Sequence, residues 1–175
     1  MKLCDYNARK LEVSELPILS KLFQYNDLEE MLVETGKKIA ENKMDIYCLF
    51  KENILLGELR VSYENEDEDF ARRGVRAYLN AFRVDESMQN KGLGKHLMQY
   101  VIEDLEQQGY VEFTIGVEDG NARAKHIYEQ FGFLEKIGRK EESYQDDSYE
   151  YDLLLRKSPF IDNMTAGDCG YLTGK

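Results

Sequence analysis

The sequence predicts an α/β (α+β) domain over residues 1–157, followed by a short tail over 158–175. Three observations carry this expectation. An extended run, Arg76–Val84, passes through Val-Asp-Glu-Ser-Met-Gln-Asn-Lys-Gly-Leu-Gly (84–94) into a strongly amphipathic helix beginning near Gly92. A second apolar strand, Val111–Val117, leads into another helix after Asn121. Further strand-like runs flank this pair on both sides, bounded by polar turns.

The elements follow in order. Ser14 stands before Glu15-Leu16-Pro17 as an N-cap, and Leu16, Leu19, Leu22 and Phe23 recur at helical spacing. Asn26 can cap a second helix with the stripe Leu28, Met31, Leu32 and Ile39, and Lys37, Lys38 and Lys43 lie toward its end, where the helix dipole favours cations. Asp45–Phe50 and Ile54–Tyr63 read as two strands joined at Glu52-Asn53, with Leu59, Val61 and Tyr63 alternating against Glu58, Arg60 and Ser62. The acidic run Glu64–Asp69 is either a solvated loop or a gate that draws amines in. The central helix buries Leu93, Leu97, Met98, Val101, Ile102 and Leu105 and ends at Gly109, a natural left-handed terminator. The next helix buries Ala124, Ile127, Tyr128 and Phe131 and ends at Gly132. Phe133–Arg139 and Tyr149–Leu155 close the domain as antiparallel strands around the polar stretch Lys140–Ser148. The tail, with Phe160, Ile161, Met164, Tyr171 and Leu172, is richer in apolar residues than a solvated extension needs, which suggests a second subunit or a cap on the domain.

Composition narrows the function. A length of 175 residues with 42% hydrophobic content suits one domain with a sizeable core. No apolar run approaches a membrane span, and Met1-Lys2-Leu3-Cys4-Asp5 lacks the apolar stretch of a secretory signal. Cys4, Cys48 and Cys169 are odd in number and widely spaced, so they form neither a disulfide framework nor a zinc pattern, and a reducing cytoplasm is the simplest location. No metal-ligand cluster is present. A net charge of −11 repels nucleic-acid backbones and attracts cations.

The Gly-x-Gly pair at the strand-to-helix junction turns successive backbone N–H groups into open space, and the helix N-terminus adds partial positive charge. Together they make a seat for phosphate oxygens. Downstream stands Asn121-Ala122-Arg123-Ala124-Lys125-His126-Ile127-Tyr128-Glu129-Gln130-Phe131-Gly132-Phe133. The two blocks, Gln-x-x-Gly-x-Gly and then Asn-x-x-Ala-x-x-x-Tyr-x-x-x-Gly-Phe, resemble the acyl-CoA core of the GNAT family of N-acetyltransferases. The resemblance is densest over residues 75–134, and the element order fits over roughly 8–156.

That resemblance implies a mixed, mostly antiparallel sheet of six to seven strands with helices on both faces, and a parallel pair splayed by a bulge in the strand before the phosphate loop, leaving a slot for acyl-CoA. It implies acetyl-CoA as co-substrate and direct attack on its thioester by an amine, here a small cationic one. A protein acetyltransferase, or an acyl-CoA-binding regulatory module without catalysis, is the alternative. Carried over residue by residue, the main chain of Phe82, Arg83 and Val84 lines the pantetheine. Gln89, Asn90, Lys91, Gly92, Leu93, Gly94 and Lys95 wrap the pyrophosphate. Asn121 and Ala124 border the slot, and Tyr128 donates a proton to the leaving thiolate. The family often has Arg where Gln89 stands and Pro where Glu86 stands; backbone amides do most of the binding there.

The residues themselves add to this. Lys91, Lys95, Arg123 and Lys125 must offset the acidic field at an anionic cofactor site. Asn121 can donate and accept, and it is also the N-cap of its helix. Tyr128 follows Asn121 by about two turns, on the same side; its plain reading is a core aromatic. The base for the attacking amine is open between Glu58, Glu118 and Tyr78. Both His96 and His126 read as structural or solvent-facing.

Overall fold

The computed structural model describes residues 5–144 and 147–159. Seven strands form one sheet: β1 (Asn7–Lys10), β2 (Met44–Lys51), β3 (Ile54–Ser62), β4 (Arg76–Val84), β5 (Glu112–Glu118), β6 (Glu135–Tyr144) and β7 (Asp147–Lys157). Their spatial order is β1-β2-β3-β4-β5-β7-β6. Only β4 and β5 pair in parallel; every other neighbouring pair is antiparallel. Among the described residues the α-helices are α1 (Leu28–Ala40), α2 (Leu93–Gln107) and α3 (Ala122–Gln130). Cys4, Cys169 and tail residues 160–175 fall outside the described residues, and so does the expected role of that tail. Ser158 belongs to the domain: it is buried, and its N–H donates to the Val111 carbonyl at 2.8 Å.

Two apolar clusters cover the two faces of the sheet. On one, Leu49, Leu59, Leu79 and Phe113 pack against α2 through Leu97, Val101 and Leu105, and against Tyr128 of α3. On the other, Ile46, Cys48 and Phe50 pack against Leu16, Leu19, Leu32 and Ile39. β2 is therefore apolar on both sides, as a central strand between two helical layers must be.

Where helices were expected at the N-terminal end, local chemistry shifts the detail. The first is a 3-10 segment, Val13–Lys21, preceded by Glu12 rather than Ser14, and the Glu12 N–H donates to Glu15 Oε2 at 3.0 Å. Pro17 inside it removes a donor, which disfavours a regular α-helix. α1 is capped by Asp27, not Asn26: its carboxylate accepts the Glu30 N–H at 2.9 Å. The closing hairpin corrects the largest expectation. β6 and β7 run on through most of the polar stretch 140–148, because this arm projects past the end of β5 and has no core to demand apolar alternation.

One irregularity positions the site. The β4–β5 ladder ends at Leu79↔Ile115. Immediately after, the β3–β4 register shifts, from Arg60↔Asn80 to Glu58↔Arg83, so β4 carries one extra residue. Ala81 takes up this bulge with φ 48°, a left-handed conformation that costs a non-glycine residue about 1 kcal/mol or more. Asn80, Arg83 and Val84 stay paired with β3, but no residue of β4 after Leu79 pairs with β5. Gly57 permits this: a Cβ there would meet the Arg83 carbonyl at 2.9 Å. We expect Ala81→Gly to leave stability unchanged or slightly raised, and Ala81→Val to lower it by about 1–2 kcal/mol, measured by chemical denaturation.

Candidate active site

The splay between β4 and β5 opens two clefts that meet. One, of about 570 Å³, lies along Phe82, Val84, Gly92, Gly94 and the first turns of α2 and α3. The other, of about 720 Å³, lies on the far side of the slot between residues 62–70, the bulged part of β4, and the β6–β7 hairpin. Phe82, Asn121, Ala124 and Tyr128 line both.

The first cleft has the features of an anion seat. α1 and α3 are capped by their own side chains, Asp27 and Asn121. α2 is not: Gly92 at its N-cap carries no side chain, and its first backbone bond, His96 N–H to the Gly92 carbonyl, leaves Leu93, Gly94 and Lys95 N–H without intrahelical acceptors. Gly92 sits at φ 80°, where a Cβ would point into open space, and Asn90 is also left-handed at φ 60°. A cradle of free N–H groups at a positive helix end fits a pyrophosphate. Gly94 serves packing, since a Cβ there would meet the Phe82 ring at 3.1 Å.

The structure brings most of the expected residues together. Phe82, Val84, Gln89, Asn90, Gly92, Leu93, Gly94, Lys95, Asn121, Ala124 and Tyr128 line the first cleft. Lys91 instead turns back on the loop, donating to the Ser87 carbonyl at 2.9 Å. Arg83 lies on the far side of the slot; its guanidinium donates to Glu58 at 2.8 Å and covers the Phe23 ring at 3.8 Å. His126, expected to be structural or solvent-facing, is exposed on the rim of the first cleft and hydrogen-bonds Gln130.

Tyr128 is buried between the clefts, with Phe82 and Phe133 rings at 6.5 and 6.2 Å. Among the described residues no protein group hydrogen-bonds its hydroxyl. Burial pushes its phenol up to about 12, so it keeps its proton across the neutral range.

Of the three base candidates, Tyr78 and Glu118 line the second cleft and Glu58 does not. Glu58 is fully buried beneath Arg83, with Arg60 at 3.8 Å. Burial raises its pKa and the two arginines oppose that rise. Burial likewise pushes Tyr78 well above the ordinary phenol range.

Several lining residues escaped the sequence reading: Asn65, Phe70, Glu141, Glu142, Tyr149 and Tyr151. The tyrosines, two apart in a strand, shared a face and could have been seen; Glu141 and Glu142 fell in the stretch expected to be a loop. The acidic run serves as a pinned wall. Arg73 holds Glu64 at 2.9 Å, and Lys140 bridges Asp67 and Asp69, both at 2.7 Å. The Phe70 ring lies beneath Lys140 and packs edge-on against Tyr78. Among the described residues no group of three or more His, Cys, Asp or Glu is placed to hold a metal ion. No helix there is long and apolar enough to cross a membrane.

Residues 12–133 match the Acetyltransferase (GNAT) family, and this chain belongs to it. A [Ribosomal protein bS18]-alanine N-acetyltransferase of Salmonella typhimurium is 39% identical over 57 residues. That stretch covers 33% of this chain and 38% of the relative, so the match spans well under half of either. The fold is shared far more widely than the sequence. The Escherichia coli ribosomal-protein-S18-alanine N-acetyltransferase superposes with a TM-score of 0.67 at 20% identity, over 95% of this chain and 99% of that one. A spermidine N-acetyltransferase chimera from Vibrio cholerae and hSSAT gives 0.71 at 16%, over 91% and 99%. A GNAT acetyltransferase from Elizabethkingia anophelis, solved with acetyl-CoA bound, gives 0.63 at 16%, over 87% and 98%.

Lys140 ties the 64–70 wall to β6 across the second cleft. Lys140→Gln is expected to raise amide hydrogen exchange over residues 64–75 by about tenfold or more, with little change in the α2 core; unchanged exchange would show that the Thr114–Phe70 hydrogen bond and the Arg73 and Arg76 contacts hold the wall without it.

Proposed function

We propose that the protein is an acetyl-CoA-dependent N-acetyltransferase that passes the acetyl group directly to a primary amine on a small cationic acceptor. The observation that carries this is the meeting of the two clefts at Tyr128: one offers an anion cradle, the other an aromatic and acidic chamber. Acetyl-CoA supplies the acyl group as an activated thioester. The free N–H groups of Leu93, Gly94 and Lys95 hold its pyrophosphate, and the main-chain edge of residues 82–84 that β5 does not pair faces the pantetheine.

In the second cleft, Phe70, Tyr78, Tyr149 and Tyr151 surround the acceptor's apolar stem, while Glu118, Glu141 and Glu142 attract its positive charge. An amine attacks only through its lone pair, so the ammonium must first lose a proton. Tyr78 is a poor base at neutral pH, since its phenol stays protonated. Glu118, at the end of the slot strand β5, is the residue to which we assign that proton, directly or through water. The amine nitrogen then bonds to the carbonyl carbon, the carbon–sulfur bond breaks, and the nitrogen loses its second proton to water as the amide forms. Tyr128 gives its hydroxyl proton to the departing sulfur, which leaves as the free thiol, and the phenol is reprotonated from water.

A protein N-terminus is the second reading, favoured by the 57-residue likeness to the bS18-alanine enzymes. Thiol release from acetyl-CoA with spermidine, an amino sugar and an alanine-initiated peptide separates the readings. Turnover with the small amines and not the peptide supports the first; the reverse supports the second. Tight CoA binding with no turnover on any acceptor points to a non-catalytic module.

Tyr128→Phe keeps the ring and its packing. We expect kcat to fall about a hundredfold with the dissociation constant for acetyl-CoA unchanged. Because burial holds the phenol near 12, the loss should be the same from pH 6 to 9. An unchanged kcat, with chemistry shown to limit the rate, would return Tyr128 to a packing role.

A further inference from the structure

We propose that Arg123 is a phosphate ligand of the first cleft and that Gln89 is the positioning residue that aims it; the inference rests on the acyl-CoA reading above. The chain carries nine arginines and 34 acidic residues. Eight of the arginines have a carboxylate within 4.0 Å. Arg123, among the described residues, has none. In a protein with so large an excess of carboxylates, an exposed guanidinium left without one is an exception that requires a reason.

Its side-chain partner is neutral. Arg123 Nη1 donates to Gln89 Oε1 at 2.9 Å, and Gln89 Nε2 donates to the Val84 carbonyl at 3.2 Å. Because Val84 offers only an acceptor and Arg123 only donors, the orientation of the Gln89 amide is fixed by its partners. The relay joins the end of β4, the loop and the first turn of α3, three walls of one cleft. It holds the guanidinium in place without neutralising it. The bond to Gln89 occupies one of five N–H donors, so the others stay available, and a planar fork matches two oxygens of a phosphate. Both residues line the same cleft as Gly92 and Lys95, at the uncapped N-terminus of α2. Side-chain charge therefore enters the site from Arg123 of α3 and Lys95 of α2, while the loop supplies backbone dipoles and a neutral amide.

Calorimetric titration of the full-length protein with CoA and with dephospho-CoA tests this. Arg123→Ala is expected to weaken CoA binding about tenfold, the size of a charge-assisted contact at a solvent-exposed rim. Arg123→Lys, which keeps the charge and loses the fork, should recover less than half of that loss. Gln89→Ala should cost about threefold, and nothing further once Arg123 is already alanine. Gln89→Glu gives Arg123 a carboxylate partner and should weaken binding at least as much as Gln89→Ala, an effect that a merely structural Gln89 would not produce. If the Arg123 effect vanishes with dephospho-CoA, the ligand is the 3′-phosphate; if it persists, the ligand is the pyrophosphate. A parent that binds CoA alongside an Arg123→Ala variant that binds within twofold of it overturns this inference and leaves the acyl-CoA reading intact. A parent that binds no CoA overturns both.

Discussion

One extra residue in β4 decides what the rest of the structure can do. With Ala81 in the left-handed region, the strand holds its ladder to β3 and gives up its ladder to β5 after Leu79. β5 does not bend to follow, because β7 pairs with it through Glu118↔Tyr151. A wedge opens between two strands whose other edges remain paired, apart from the bulge itself. In a regular sheet the backbone of residues 80–84 would be consumed by its parallel neighbour, and the clefts on either side would be separate dents. Strain at a single residue, held by the surrounding pairs, keeps the two connected.

The charge distribution has to be understood locally. A net charge of −11 would oppose any polyanionic ligand if it were spread evenly, but screening confines each charge to about 8–10 Å at physiological salt. Much of the acidic run is already committed: Glu64 to Arg73, Asp67 and Asp69 to Lys140. Glu58 is committed to Arg83 and Arg60 beneath the bulge, where an isolated carboxylate would be too costly to bury. Its second oxygen, Oε2, still has no hydrogen bond, as a structural anchor shared between two guanidiniums can tolerate and an accessible base would not need. Glu118, Glu141 and Glu142 line the second cleft, whereas the rim of the first holds Lys95 and Arg123.

Local chemistry was legible in the sequence; long-range placement was not. β4 was readable to the residue because its alternation and the glycines after it leave one solution, and α2 followed from its apolar stripe. Gly109 and Gly132 take the positive φ expected of helix terminators. The α1 cap was misplaced by one residue, since Asn26 and Asp27 are both good caps and only the backbone chooses between them. The bulge had no signature of its own, because Ala81 is an ordinary strand residue unless Gly57, two dozen positions earlier, lets the chain press in. Glu58 looked like a candidate base for the same reason. Its side of β3 was predictable, but that Arg83 would lie over it depends on the register shift. Glu141 and Glu142 were hidden because a two-stranded arm that packs on no core shows no hydrophobic period.

Tyr128 joins these levels. The packing that places it between the clefts also takes most of its side chain out of water, and that desolvation pushes its phenol up to about 12. An ordinary thiol titrates near 8.5, so in water a phenol so raised would be a poor donor to the corresponding thiolate. The comparison changes inside the slot. In the proposed reaction a sulfur leaving beside Phe82 is desolvated by the same apolar wall, and its own anion is destabilised in turn. The gap between donor and acceptor narrows without either group needing a charged neighbour, and a hydrogen bond from an otherwise unpartnered hydroxyl is strongest where water cannot compete. In the proposed reaction the hydroxyl has to remain protonated and unengaged until negative charge develops on sulfur, and burial among apolar rings meets both conditions.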